Sequence, residues 1–166
     1  MKRAGGFMLE EKDLNERTKD DDKYMHATEH ILNQTMIRVF NCGRCFSAHI
    51  ERKKSKCDYK LNAPPAAEQM LEVERRVNEV IALNLPVSAE LMARDEAAKI
   101  FDLARLPETA GQTLRVVRIG DYDVCPCLGK HVDNTSEILQ VGKFKIISYD
   151  YNGGVLRVRF KLAKDI

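Results

Sequence analysis

Four residues of this chain have the types and spacing to do chemistry together. His26 and His30 are four apart, and so, much later, are Cys127 and His131. On a helix, four-residue spacing puts two imidazoles on one face, one turn apart, where both reach a single cation. Cys127-Leu-Gly-Lys-His131 supplies a thiolate and an imidazole around Gly129, in a loop between strands. Together they make a His3Cys set, and such borderline-soft N and S donors suit zinc. No glutamate follows His26, so this is not the His-Glu-x-x-His pattern; Glu29 sits elsewhere in the turn. A competing geometry joins Cys42-x-x-Cys45 to Cys125-x-Cys127, although the one-residue spacer is short for a second zinc knuckle. Cys42, Cys45 and Cys57 also read as small buried thiols.

The elements that must position these residues are legible in outline. Over 24–40, Ile31, Leu32, Thr35, Met36 and Val39 fall at helical spacing; Asp21 or Asp22 caps the start, and Asn41-Cys42-Gly43 ends it. Residues 46–61 read as extended, with Cys57, Tyr59 and Leu61 alternating with polar residues. Pro64-Pro65 opens a second helix that runs to about residue 83 with Met70, Val73, Val77, Val80 and Ile81 on one face. Residues 87–92 are ambiguous between strand and helix, and Asp95–Leu103 reads as a short helix. Strands follow at Leu114–Ile119 and Phe144–Ile147, and Asn152-Gly153-Gly154 predicts a hairpin turn into Val155–Phe160. Helices early and antiparallel strands late imply an α+β fold, an antiparallel sheet packed against helices, with the metal site between the first helix and a sheet loop.

Length and composition bound the rest. The 166 residues suit one domain over 24–166 after a charged leader over 1–23 that could be flexible, where six Lys/Arg meet seven Asp/Glu. This length excludes a multidomain ligase or polymerase. Hydrophobic residues make up 44% and charged residues 31%, no apolar run spans a membrane, and no signal segment is visible. Five cysteines without such a signal point to a reducing, cytoplasmic setting rather than a disulfide framework. Net charge is only +2, but residues 44–60 carry six Lys/Arg against Glu51 and Asp58, a local +4. Lys53, Lys54 and Lys56 could meet phosphates there, or form an ordinary solvated hairpin tip.

The same residues resemble a known family. His26-Ala-Thr-Glu-His30-Ile-Leu is similar to the first motif of the alanyl-tRNA synthetase editing domain and its free-standing AlaX-type relatives. Cys127-Leu-Gly-Lys-His131-Val, followed by Glu137-Ile138, is similar to the second. Glu74-Arg-Arg-Val-Asn78, Asn84-Leu-Pro-Val, Arg94-Asp-Glu-Ala97, Gly142-Lys-Phe-Lys-Ile146 and Gly154-Val-Leu-Arg-Val-Arg-Phe160 extend the resemblance over about 24–162. The chain departs from the family where Leu128 and Lys130 replace a glycine and a threonine, and where Cys125 stands in place of an acid with Asp123 just upstream. With no room before His26 for an accessory barrel, it resembles the short members.

The resemblance implies one zinc ion held by His26, His30, Cys127 and His131, and hydrolysis in trans of the ester of a mischarged aminoacyl-tRNA, such as tRNA-Ala carrying Ser or Gly. His26, His30 and Gln34, one turn beyond His30, are the expected catalytic residues; Ser47, His49, Lys53, Lys54, Lys56 and Lys130 are expected to meet substrate or tRNA. Aminoacyl-tRNA is the expected partner, with no membrane and no obligate protein partner. Two other readings stand beside it: a non-catalytic, zinc-stabilised RNA-binding module, and a metal hydrolase of the same fold acting on a small ester or amide.

Overall fold

The computed structural model describes residues 22–103 and 111–164; nearly all of the predicted leader lies outside them. Helix α1 (Lys23–Phe40) starts where Asp22 caps it, Oδ1 accepting from the backbone N–H of Tyr24 at 2.8 Å and Met25 at 3.2 Å. It stops at Asn41, whose φ of 54° is left-handed and whose N–H returns to the Ile37 carbonyl. Met25, Ala27, Ile31, Leu32 and Met36 of this helix are buried, and so are Thr28, Glu29, His30, Asn33 and Thr35. α1 is therefore a core helix with a polar side that is also covered.

Two antiparallel sheets accompany it, in the α+β class that the sequence predicts. The larger has the order β1-β2-β7-β6, from β1 (Ser47–His49), β2 (Ser55–Lys60), β6 (Lys143–Asn152) and β7 (Val155–Ala163). Gly153 and Gly154, at φ 57° and 81°, close the β6–β7 hairpin in the left-handed conformations a tight two-residue turn requires. The smaller sheet, order β3-β4-β5, is built from β3 (Val87–Ala93), β4 (Thr113–Ile119) and β5 (Asp123–Pro126). It resolves the ambiguous 87–92 segment as a strand, and Gly120, at φ 50°, lies in the β4–β5 turn.

Helix α2 (Ala67–Ala82) lays Met70, Val73, Val77, Val80 and Ile81 on the core. It also covers the backbone of edge strand β6: the Asn78 amide accepts from Phe144 N–H and donates to Phe144 C=O, both at 2.9 Å, and Glu74 accepts from Ile146 N–H at 2.8 Å. The predicted helix over 95–103 is shorter, α3 (Arg94–Ala98). After it, Ile100 and Phe101 bond back to the Ala97 carbonyl, and Phe101 joins a small second core of Ala97, Leu114 and Leu128.

On the larger sheet's outer face, Arg157 of β7 holds Asp58 of β2 with two bonds, 2.8 and 3.0 Å, which keep the Asp58 carboxyl below its ordinary range. Asp58→Asn is expected to cost about 1 kcal/mol at neutral pH, reduced by Arg157's solvent exposure. A carboxyl with a lowered folded-state pKa stabilises above its unfolded value, near 4, and loses that contribution as pH falls through the folded value. Denaturation of both proteins from pH 7 to pH 3 checks this: the two stability curves converge only at the acid end.

Candidate metal centre

Two parts of the fold meet over the polar side of α1. The helix supplies His26 and His30; the turn leaving β5 supplies Cys127 and His131. That turn is held to β4 by the Cys127 N–H on the Arg115 carbonyl (3.0 Å) and by the Arg115 guanidinium on the Gly129 carbonyl (2.6 Å). Gly129 N–H donates to Cys127 Sγ at 3.4 Å, so the turn closes on the sulfur. Downstream, Val132 is buried, Val87 N–H bonds the Asp133 carbonyl, and Thr135 is tied to Leu85.

The four donor atoms lie within 4.8 Å of one another. His26 and His131 stack with centroids 4.4 Å apart, and His30 sits edge-on to His131 at 4.7 Å. His26 Nε2 is 3.3 Å from Cys127 Sγ. Bonds of 2.0–2.3 Å in a tetrahedron separate neighbouring donors by roughly 3.3–3.8 Å, so small movements would close this set on one ion. Among the described residues, both nitrogens of His131 and Nδ1 of His26 are buried without a hydrogen-bond partner. Unpaired buried imidazole nitrogens are costly, and a metal ion would satisfy a lone pair on each ring.

The electrostatics bear on the same use. Burial would raise the Cys127 thiol, but His26 and His30, with His26 Nε2 at 3.3 Å from the sulfur, outweigh it and hold the group well below the ordinary thiol range. Burial pushes His131 down to about 4, with the Cys127 sulfur acting in the other direction, so its imidazole is neutral at physiological pH. A thiolate and a neutral imidazole are the protonation states that bind metal; against burial, the same thiolate raises His26 and, with Asp123, His30 above the ordinary imidazole value, so loading the site would also release protons from these two.

Around the donors lies a support that the sequence reading did not assign. Asp123 is 3% exposed and faces His30 Nδ1 at 3.5 Å. Its Oδ1 accepts from Arg44 at 2.7 Å and from Gln34 Nε2 at 2.9 Å; its Oδ2 accepts from Arg44 at 3.1 Å. A carboxylate behind a histidine fixes its ring and leaves the other nitrogen for metal. Gln34, expected in a catalytic role, thus bonds the carboxylate behind His30, and its own oxygen accepts from Arg38 at 3.2 Å. Tyr122, beside Asp123, is clamped to α1 by Thr35 (2.6 Å) and by Arg38 over its ring at 4.1 Å.

The remaining expected residues fall elsewhere. Ser47 and His49 pair with Asp58 and Lys56 on the larger sheet's outer face; His49 bonds Glu51 at 2.8 Å, and only Ala48 between them packs on the core. Lys53 and Lys54 are exposed in the β1–β2 loop, Lys56 is half-buried beside Arg159 of β7, and Lys130 is exposed between the loop's two metal donors. Arg52 ties the basic loop to the start of α1 through Asp22 and stacks on Tyr24. Leu128 does not line the site; it fills the second core. Gly129 has the sharper role: a Cβ there would lie 1.8 Å from His26 Cε1 and 2.0 Å from its Nδ1. The spacing of Cys127 and His131 around a glycine was visible in sequence, whereas the contact with His26 needs the fold.

Residues 114–159, spanning this turn and its sheet partners, match the family described as threonyl and alanyl tRNA synthetase second additional domain. Similarity to alanine–tRNA ligases reaches well beyond that segment: 33% identity over 74% of this chain for Caldicellulosiruptor saccharolyticus, 30% over 86% for Idiomarina loihiensis, and 34% over 78% for Neisseria meningitidis serogroup B. Together these matches relate the chain to the second additional domain of threonyl and alanyl tRNA synthetases. It spans only 14–16% of the length of those ligases. Among the described residues, no helix of the domain is long and apolar enough to cross a membrane.

Gly129→Ala is expected to push the His26 ring off the cluster and weaken divalent-metal affinity about 10–100-fold, the range seen when groups supporting a ligand are removed. Competition with a chromophoric chelator measures it, with circular dichroism as the check on folding. Asp123→Asn is expected to destabilise the fold by about 3 kcal/mol, because Arg44 is left half-buried without its partner; urea denaturation reads this.

Proposed function

We propose that this chain is a metal-dependent deacylase that hydrolyses the ester of a mischarged aminoacyl-tRNA in trans, with zinc held by His26, His30, Cys127 and His131. The observation that carries the reading is the donor set itself: three imidazoles and a thiol within 4.8 Å, with buried imidazole nitrogens lacking any other partner, in a chain related to the synthetase second additional domain. Zinc in such a site supplies Lewis acidity toward the ester carbonyl, a water of lowered pKa, or an anchor for the substrate amino group.

The chain's own residues have separate tasks. Asp123, braced by Arg44 and Gln34, orients His30. Gly129 leaves room for the His26 ring, and Arg115 holds the turn that presents Cys127. Lys130 is exposed next to His131, where a cation suits a phosphate or the ester oxygens. Arg52 brings the Lys53–Lys54 loop to the end of α1 that carries His26, so backbone phosphates of a tRNA end in the site would have cations close by. Four protein donors also fit a closed, non-catalytic zinc centre, and this favours the RNA-binding module as the second reading.

The deciding experiment is metal analysis of the purified protein with deacylation of Ser-, Gly- and Ala-charged tRNA. Zinc at about one equivalent or more, with hydrolysis abolished in His30→Ala, is the expected result. Tightly bound zinc with no hydrolysis of any charged tRNA would overturn the deacylase reading in favour of the binding module. Neutralising Lys53 and Lys54 is expected to lower kcat/KM and to flatten its log–log salt dependence by about one for each phosphate that is no longer neutralised; a small-ester hydrolase would show neither.

A further inference from the structure

A second group of metal-ligating side chains sits beside the first and plays no part in the function proposed above. Glu29 of α1, Cys45 just before β1 and Cys57 of β2 bring a carboxylate oxygen and two sulfurs within 4.8 Å of one another. They are 8%, 1% and 0% exposed. Cys45 Sγ lies 3.5 Å from Glu29 Oε2, and Cys57 Sγ is within 4.8 Å of both. We propose that Glu29, Cys45 and Cys57 form a second, enclosed site for a thiophilic divalent cation of the zinc or cadmium class.

Three features carry this. The first is chemical: two thiols and a carboxylate are soft-to-borderline donors, and their separations are close to those around a zinc-sized ion. The second concerns charge. Glu29 is buried, yet its contacts are weak: the Asn33 amide at 3.4 Å, the Cys45 thiol, and His26 Nε2 at 3.7 Å. The nearby guanidinium of Arg44 is committed to Asp123. With only these long contacts, the Glu29 oxygens keep acceptor capacity that a metal ion could use. The third is rigidity. Asn33 Oδ1 accepts from Tyr59 O–H at 2.7 Å and from Cys45 N–H at 3.4 Å, which joins the three elements that bring the donors. Loading balances as M2+ displacing one proton from each thiol to solvent, with no electron transferred. Glu29 Oε2 faces Cys45 while Oε1 faces His26, so the two groups share a wall and no donor.

The site is tested under reducing conditions by titrating the whole, metal-stripped chain with cadmium, using thiolate-to-cadmium charge-transfer absorption and metal analysis. Wild type is expected to take two equivalents. Cys57→Ser and Cys45→Ser are each expected to take one, whereas His131→Ala keeps the thiol-rich site and weakens the other. Cadmium-113 NMR of the unsubstituted protein makes the result independent of how the variants fold: two resonances are expected, one shifted as for two sulfur ligands and one as for a single sulfur. Absence of the two-sulfur resonance in wild type would overturn the proposal, and so would a second equivalent that survives both serine substitutions; absence of the single-sulfur resonance alone would count against the His26–His30–Cys127–His131 site instead. Because every readout is metal binding, failure here is distinct from failure of the deacylase reading.

Discussion

The buried carboxylate of Asp123 is the constraint on which the site depends. A carboxylate with no solvent contact must find partners for its charge, and it finds three: His30 and Gln34 of α1, and Arg44 after it. Those contacts bind the start of β5, and with it the smaller sheet, to the helix. The turn that follows β5 then has little freedom in where it delivers Cys127 and His131. Arg44 touches His30 Nδ1 at 3.4 Å as well as Asp123, so the same ion pair that joins the sheet to the helix also orients a donor imidazole. Scaffold and site share one electrostatic interaction, and neither can move without the other.

This arrangement explains the composition of α1. An ordinary surface helix buries one apolar stripe, but α1 also covers Glu29, His30, Asn33 and Thr35. Its apolar side meets the core of the larger sheet and α2, while its polar side is roofed by the β5 turn and the chain around Arg44 and Cys45. Several polar groups there are bonded: Thr35 to Tyr122, Asn33 to Tyr59, Thr28 to the Tyr24 carbonyl. A helix enclosed in this way holds its histidines in fixed geometry, which a metal site requires and a solvated helix face does not provide.

Local patterns were legible in the sequence because local physics decides them. The Asp22 cap, the left-handed Asn41, the α2 stripe and the Gly153-Gly154 turn each follow from a few neighbouring residues. The donor spacing was equally plain. What the sequence did not disclose is long-range. Asp123 was visible only as an acid near Cys127, and nothing local says that it pairs with Arg44, 79 positions away. The division into two sheets depends on which strands pair, and β4 finds β3 and β5 rather than β6. Gln34 lies one turn beyond His30 on α1, but a helical wheel cannot show that a carboxylate from another element would occupy its amide.

The loop Cys127–His131 shows how such a site tolerates change. Its five positions have three different neighbours. Cys127 and His131 face the donors, Leu128 is buried against Ala97 and Leu114, and Lys130 faces solvent. Gly129 is the position without latitude, since any Cβ would overlap the His26 ring. A leucine at 128 therefore fills the small second core and need not disturb the metal donors, and it ties the turn to α3 and β4 by apolar contact in addition to the Arg115 bonds. A lysine at 130 changes the charge seen by an approaching ligand while the donor geometry stays as it is. The substituted positions are partitioned by where each side chain points, so Leu128 and Lys130 leave the candidate donor set as it is.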